Sequence, residues 1–174
     1  MKYELEYFER MLRINSGSAE KINLIRWEFV SSVRPRVVLD YGSGVGWFRA
    51  YRPEGVRVDT YDIGEYPQTG ANSTFAYYDL VTFWDSLEHI ADLDEIKPYV
   101  AGANYIALSI PIKPKETELE NWKHFKPGEH LHYFDIATLD TLLSRLNFYS
   151  IKAGYPECPP RVDIFSGIYK RRIL

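Results

Sequence analysis

Hydrophobic positions fall into two periods along the chain. Residues 3–14 carry Leu5, Phe8 and Leu12 on one helical face with Tyr7, Met11 and Ile14 beside it, an amphipathic pattern. Asn15-Ser16-Gly17-Ser18 interrupts it. A second helix is predicted over 18–32, with Ser18 as N-cap and Ile22, Ile25 and Phe29 turned inward. Past Pro35 the period changes. Residues 37–39, 56–62, 80–84 and 105–110 are short apolar runs bounded by turn residues, as in strands buried in a parallel sheet. A short helix or turn is predicted over 47–51. Another helix is predicted over 92–100, capped by Asp92 with Glu95 three residues on, and a third over 136–146, capped by Asp135. Residues 149–153 and 163–170 read as a closing antiparallel pair. Strands alternating with helices make an α/β fold. Only seventeen steps separate Asp62 from Asp79. That leaves room for a loop and one short edge strand over 74–77, so the sheet is expected to be shortened between its second and fourth strands.

Composition narrows the picture modestly. The 174 residues suit one domain, expected over 1–174, with helices over 1–34 and a lid or substrate loop over 113–135. The net charge of −3 offers no basic footprint for nucleic acid, and aromatic content of 16%, with fourteen tyrosines, favours an amphipathic pocket. A single cysteine, Cys158, excludes an internal disulfide and points to a reducing compartment. No apolar run approaches a membrane span, and the charged first residues do not read as a signal peptide. The expected location is cytoplasmic, with no membrane partner.

Chemistry enters at Asp40-Tyr41-Gly42-Ser43-Gly44-Val45-Gly46, where the first strand ends in an acid and three alternate glycines follow. Such a turn lies at the carboxyl edge of a sheet, where ligands of open α/β folds sit. The dinucleotide spacing G-x-G-x-x-G is not met, because Trp47 occupies its third glycine position. The acid before the turn suits a ligand carrying an amino group. Asp62 closes the next strand at the same edge, where a carboxylate accepts the hydroxyls of a ribose. The competing reading makes these an ordinary strand-to-helix turn and a turn cap.

The D-x-G-x-G-x-G string over 40–46, Asp85-Ser86-Leu87-Glu88-His89-Ile90 as D-x-LEHI, and Gly128-Glu129-His130-Leu131-His132-Tyr133-Phe134 together resemble small-molecule methyltransferases of the class I, S-adenosylmethionine (SAM) dependent type. The resemblance covers 37–148 in ordered pieces. It implies a Rossmann-like fold: a mostly parallel sheet with helices on both faces and an antiparallel C-terminal strand. It implies SAM as cofactor and S-adenosylhomocysteine (SAH) as product, with Asp40, Gly42, Ser43, Gly44, Gly46, Asp62 and Asp85 as cofactor-binding residues. The Asn/Asp-Pro-Pro-aromatic motif of nucleic-acid amino-methyltransferases is missing after 80–84. The shortened segment leaves the adenine contact open, with Tyr77 as the nearest candidate.

A hydroxyl acceptor needs its proton removed, and histidine suits that task. His130, His89 and His132 are the candidates in that order, and His130 and His132 would share a face if that segment is extended. Trp84, Trp122 and Tyr133 are candidates for facing a sulfonium or an aromatic acceptor. The Glu88-His89 and Glu129-His130 pairs raise metal ligation, but adjacent side chains seldom aim at one ion, and no metal is expected. Glutamates 116, 118 and 120 offset the lysines of 113–126. The expectation is therefore O-methylation of a small acceptor, of anionic type. The alternatives are a non-catalytic module of the same fold and, behind it, a nucleic-acid methyltransferase using the lysines of 113–126.

Overall fold

In a computed structural model the described residues are 9, 16–63, 77–159 and 161–173. The predicted helix over 3–14 lies outside them except for Glu9, which is helical, and so does the edge strand over 74–77 except for Tyr77. Helix α1 spans Ser16–Val30 and continues as a 3-10 turn, Ser31–Val33. Strand β1 is Val37–Tyr41, helix α2 Trp47–Ala50, β2 Arg57–Tyr61 and β3 Leu80–Trp84. Helix α3 is Lys97–Val100, β4 Tyr105–Pro111, α4 Ile136–Arg145, β5 Phe148–Gly154 and β6 Ile164–Arg171.

The six strands form one sheet in the order β2-β1-β3-β4-β6-β5. The first four are parallel and the last two antiparallel to their neighbours, with Val38 beside both Val58 and Leu80. The chain leaves β1 to one side for β2 and returns to the other side for β3. That reversal opens a crevice beyond the carboxyl ends of β1 and β3, the place where open α/β sheets hold ligands.

Alternation along the strands builds two cores. Val38, Val58, Leu80, Trp84 and Ala107 face α1 and α2. Leu39, Val81, Phe83, Ile106 and Leu108 face the Leu93–Ile96 turn, α3 and α4 through Ile96, Val100, Leu139 and Leu143. Strands β1, β3 and β4 are thus covered on both sides, which is why their sequences show little alternation, whereas the edge strand β2 alternates between buried and more exposed positions.

Two elements differ from their prediction. The buried stripe of α1 is Ala19, Asn23, Arg26, Trp27 and Val30 with Phe29, while Ile22 and Ile25 are only half-buried. The helix also begins two residues before Ser18. Trp27 sets this rotation: it stacks on Phe48 at 4.1 Å and its Nε1–H donates to the Phe48 carbonyl at 2.9 Å. Residues 93–100 are not one helix but a 3-10 turn, Leu93–Ile96, followed by α3. The Asp92 carboxylate accepts from Asp94 N, and Glu95 side-chain reciprocation is not seen. Helix α4 starts as predicted. Asp135 and Thr138 form a reciprocal capping box.

Candidate active site

The glycine loop binds three strand ends into one rim. Gly42, Gly44 and Gly46 all have positive φ, at 75°, 52° and 79°. Gly42 N and Ser43 N donate to the Tyr61 carbonyl at 2.8 and 3.1 Å, and Gly44 N donates to Asp62 Oδ2 at 2.7 Å. Gly42 also has no room for a side chain. An added Cβ would lie 2.3 Å from Ser86 Cβ, and Ser86 is fixed because its hydroxyl donates to the Tyr41 carbonyl. Gly44 and Gly46 have open space, so their requirement is conformational alone.

Two hollows flank this rim, sharing Gly42, Gly44 and Asp85. The first, of about 220 Å³, lies under α1 and is lined by Asn23, Arg26, Asp40, Ser43, Trp47 and Trp84 among others. Four of its buried polar atoms, Asn23 Oδ1, Ser43 Oγ, Trp47 Nε1 and Trp84 Nε1, have no hydrogen-bond partner among the described residues. Buried polar groups are normally paired, so four orphans on residues lining one hollow make it the candidate site for a polar ligand. Asp40 is buried there and accepts from Thr82 Oγ1 at 2.8 Å. Burial raises its pKa to about 7, against the Thr82 hydrogen bond and the Arg26 charge, which lower it. The second hollow, of about 140 Å³, is lined by Tyr41, Asp62, Ile63, Ser86, His89 and Ile90 among others.

A third hollow, of about 280 Å³, is polar and lies beside Glu88, His89, His124, Lys126, His130 and Arg161. Asp85 borders all three. It sits at φ 52°, and its carboxylate is gripped by Arg26 at 2.5 Å and by Arg161 at 2.6 and 2.9 Å. Burial alone would raise its pKa, but the two guanidiniums hold it down to about 2. Glu157, fully buried, completes the network by accepting from Arg26 Nε at 2.9 Å and Arg161 Nη1 at 2.5 Å.

The three predicted histidines separate. His89 and His130 meet edge to face, with ring centroids 4.8 Å apart, beside the buried Glu88. His132 is not with them. Its Nε2 pairs with the Ile90 carbonyl at 2.9 Å and its ring packs on Phe134, so the shared face expected of His130 and His132 is not formed. The chain between them is pinned, since Leu131 N and His132 N both donate to the Glu88 carbonyl. Burial lowers the His130 pKa to about 4 and raises that of Glu88 to about 8, the latter reinforced by the Asp85 charge. Trp84 lines the first hollow, whereas Trp122 and Tyr133 pack on each other's rings outside all three. Tyr77 is exposed and bonded to Asn104, away from the hollows.

Arg26, Asn23, Glu157 and Arg161 belong to the site without having been predicted. Asn23, Arg26, Trp27 and Val30 hold the spacing i, i+3, i+4, i+7, so a polar inward stripe was present in α1. Glu157 and Arg161 are four apart in a proline-rich loop that gave no periodic signal.

A family model described as a methyltransferase domain matches residues 18–153, and the chain belongs to that family. Its fold is that of class I methyltransferases. The magnesium protoporphyrin IX methyltransferase of Synechocystis PCC 6803, solved with SAH, is similar at TM-score 0.67 and 17% identity, over 97% of this chain and 96% of that one. The 1,6-didemethyltoxoflavin-N1-methyltransferase of Burkholderia thailandensis, solved with its substrate and SAH, is similar at 0.66 and 18%, over 95% and 83%. A SAM-dependent methyltransferase of Archaeoglobus fulgidus is similar at 0.66 and 18%, over 95% and 99%. No curated protein matches the chain by sequence. Among the described residues no helix is long and apolar enough to cross a membrane.

Proposed function

We propose that this chain transfers the methyl group of SAM to a hydroxyl of a small molecule, releasing SAH and the hydroxyl's proton. The observation that carries the reading is the first hollow, with its four orphaned polar atoms and Asp40. An amino-acid end asks for acceptors around its ammonium and donors around its carboxylate. Asp40 and Asn23 Oδ1 supply the first; Ser43 Oγ, Trp47 Nε1 and Trp84 Nε1 supply the second. Asp62 stands at the end of β2, where a ribose would bring its hydroxyls, and is anchored there by Gly44 N.

When bound, SAM supplies a methyl group activated on a sulfonium. The chain's own contribution is alignment and exclusion of water. Gly42 packed on Ser86 fixes the distance between the loop and β3. Arg26, lying over the Trp84 ring at 5.1 Å, closes the hollow under α1. Segment 113–135 contributes Lys126, Glu129 and His130 to the third hollow, where we place the acceptor. Burial keeps His130 neutral at physiological pH. The His89 ring is oriented by its Nδ1–H donating to the Glu129 carbonyl at 2.9 Å. The cations around this hollow are matched: Lys126 by Glu129, Arg161 by Asp85 and Glu157. Among the described residues the lysine and arginine lining this hollow are paired, so the proposal specifies a small hydroxylated acceptor without assigning its charge.

The test is SAH release from SAM, followed by mass spectrometry, with small phenols, catechols and sugars against amines and an RNA oligonucleotide. Release with a hydroxylated acceptor, the methyl group found on oxygen, is the expected result. Turnover only with RNA or only with amines would overturn the reading.

A further inference from the structure

The geometry points to a divalent-metal site formed by Glu88, His89 and His130, taking a dication of the zinc type and presenting it to the acceptor hollow. One ligand atom from each residue lies within 4.8 Å of the others. They come from two segments, the 3-10 turn Leu87–His89 that follows β3 and the loop preceding α4. Adjacency of Glu88 and His89 is no obstacle here, because the turn brings both ligand atoms to one side.

Hydrogen bonds hold the two segments together. Leu131 N and His132 N donate to the Glu88 carbonyl at 2.8 and 3.2 Å, and His132 pairs with the Ile90 carbonyl. His89 Nδ1 faces a carbonyl, so it must carry the ring proton, which makes Nε2 the lone-pair nitrogen. Orientation of a ligating imidazole by a backbone carbonyl on its far nitrogen is the usual support of a metal site.

Two of the three side chains carry an orphaned polar atom among the described residues. Glu88 is 2% exposed and His130 6% exposed. Glu88 Oε2 and His130 Nδ1 have no hydrogen-bond partner among the described residues. The two members nearest in sequence do not satisfy each other, since His89 Nε2 and Glu88 Oε1 are 3.9 Å apart, beyond hydrogen-bond reach. A carboxyl group and an imidazole nitrogen buried without partners are costly. One dication bridging them removes both costs. Two imidazoles and one carboxylate form the donor set of open zinc sites, which keep a position for a substrate oxygen, whereas magnesium and calcium prefer oxygen ligands throughout. Lys126 and Arg161, the nearby cations, are already neutralised by Glu129, Asp85 and Glu157.

A dication here would orient the acceptor hydroxyl and lower its proton affinity. That role rests on the methyl-transfer reading, but metal binding does not. The test titrates the full chain, stripped with a chelator, with zinc and with magnesium by calorimetry, and with cobalt by visible absorption. We expect one zinc and one cobalt per chain and no magnesium. Glu88→Gln and His130→Gln should each weaken zinc by about 100-fold or more while leaving stabilisation by SAH intact. In the unmutated chain, zinc should shift the imidazole resonances of His89 and His130 and not those of His132, which keeps the test independent of whether the variants fold. No zinc binding, or zinc resonance shifts confined to other residues, overturns the site. Absence of SAH binding with zinc bound overturns the methyl-transfer reading instead.

Discussion

Glu157→Ala is expected to cost about 3–5 kcal/mol of folding free energy, the effect of breaking a buried ion pair by removing one partner. Glu157 is completely buried and receives one hydrogen bond from each of two guanidiniums. Its truncation leaves Arg26, whose side chain is 10% exposed, and Arg161 sharing only Asp85, which is partly open to solvent. Domains of this kind have only about 5–15 kcal/mol in total, so the loss is a large fraction. The network also ties α1, the end of β3 and the loop before β6 together, so the first hollow should loosen with it. Urea unfolding measures the effect as a fall in midpoint at unchanged slope. A loss below about 1 kcal/mol would place the network with exposed surface pairs and contradict its assigned burial.

Asp40→Asn is expected to stabilise the ligand-free chain at pH 8 and to do nothing for it at pH 4. The folded carboxyl titrates at about 7 against an ordinary 3.8. Burial is the main cause and the Asp62 charge adds to it, while Thr82 and Arg26 pull the other way. Between these values the unfolded chain has released a proton that the folded chain still holds. Stability therefore falls as pH rises from about 4 to about 7 and is level above, with a total cost of about 4 kcal/mol at most. An amide keeps the Thr82 hydrogen bond and never has to ionise. Thermal melts of the two proteins should thus diverge by several degrees toward pH 8 and converge toward pH 4. The same proton should make SAM bind more tightly to the native protein as pH rises through 7, since an ammonium favours the ionised form. Parallel melting profiles for the two proteins would contradict this account of Asp40.

Much of this organisation could be read from residue order. The strand runs, the D-x-G-x-G-x-G turn and the acid closing β2 come from local rules: β-branched runs, glycine at positive φ, and an acid where a parallel strand ends. Asp62 and Gly44 are hydrogen-bonded in the structure because those local rules also fix where β1 and β2 end. The Asp135 cap is local in the same way. What escaped depends on contacts distant in sequence. Arg26 reaches Glu157, 131 residues on, and no periodicity encodes that pairing. Ile22 and Ile25 attracted the helix assignment because they are apolar, yet the Trp27–Phe48 stack turns Asn23 and Arg26 inward instead. His132 resembled His130 in sequence, and contacts distant along the chain separate them: His132 pairs with the Ile90 carbonyl, whereas His130 packs on His89.

The proposed function places a nucleoside thioether with an amino-acid end in the crevice between β1 and β3. Calorimetric titration of the chain with SAH tests it most directly, beside Gly42→Ala, in which the added methyl group meets Ser86 and the backbone must leave its φ of 75°. One SAH bound per native chain and none by the variant is the expected result. A native chain that ignores SAH, or a variant that binds it equally well, would contradict it.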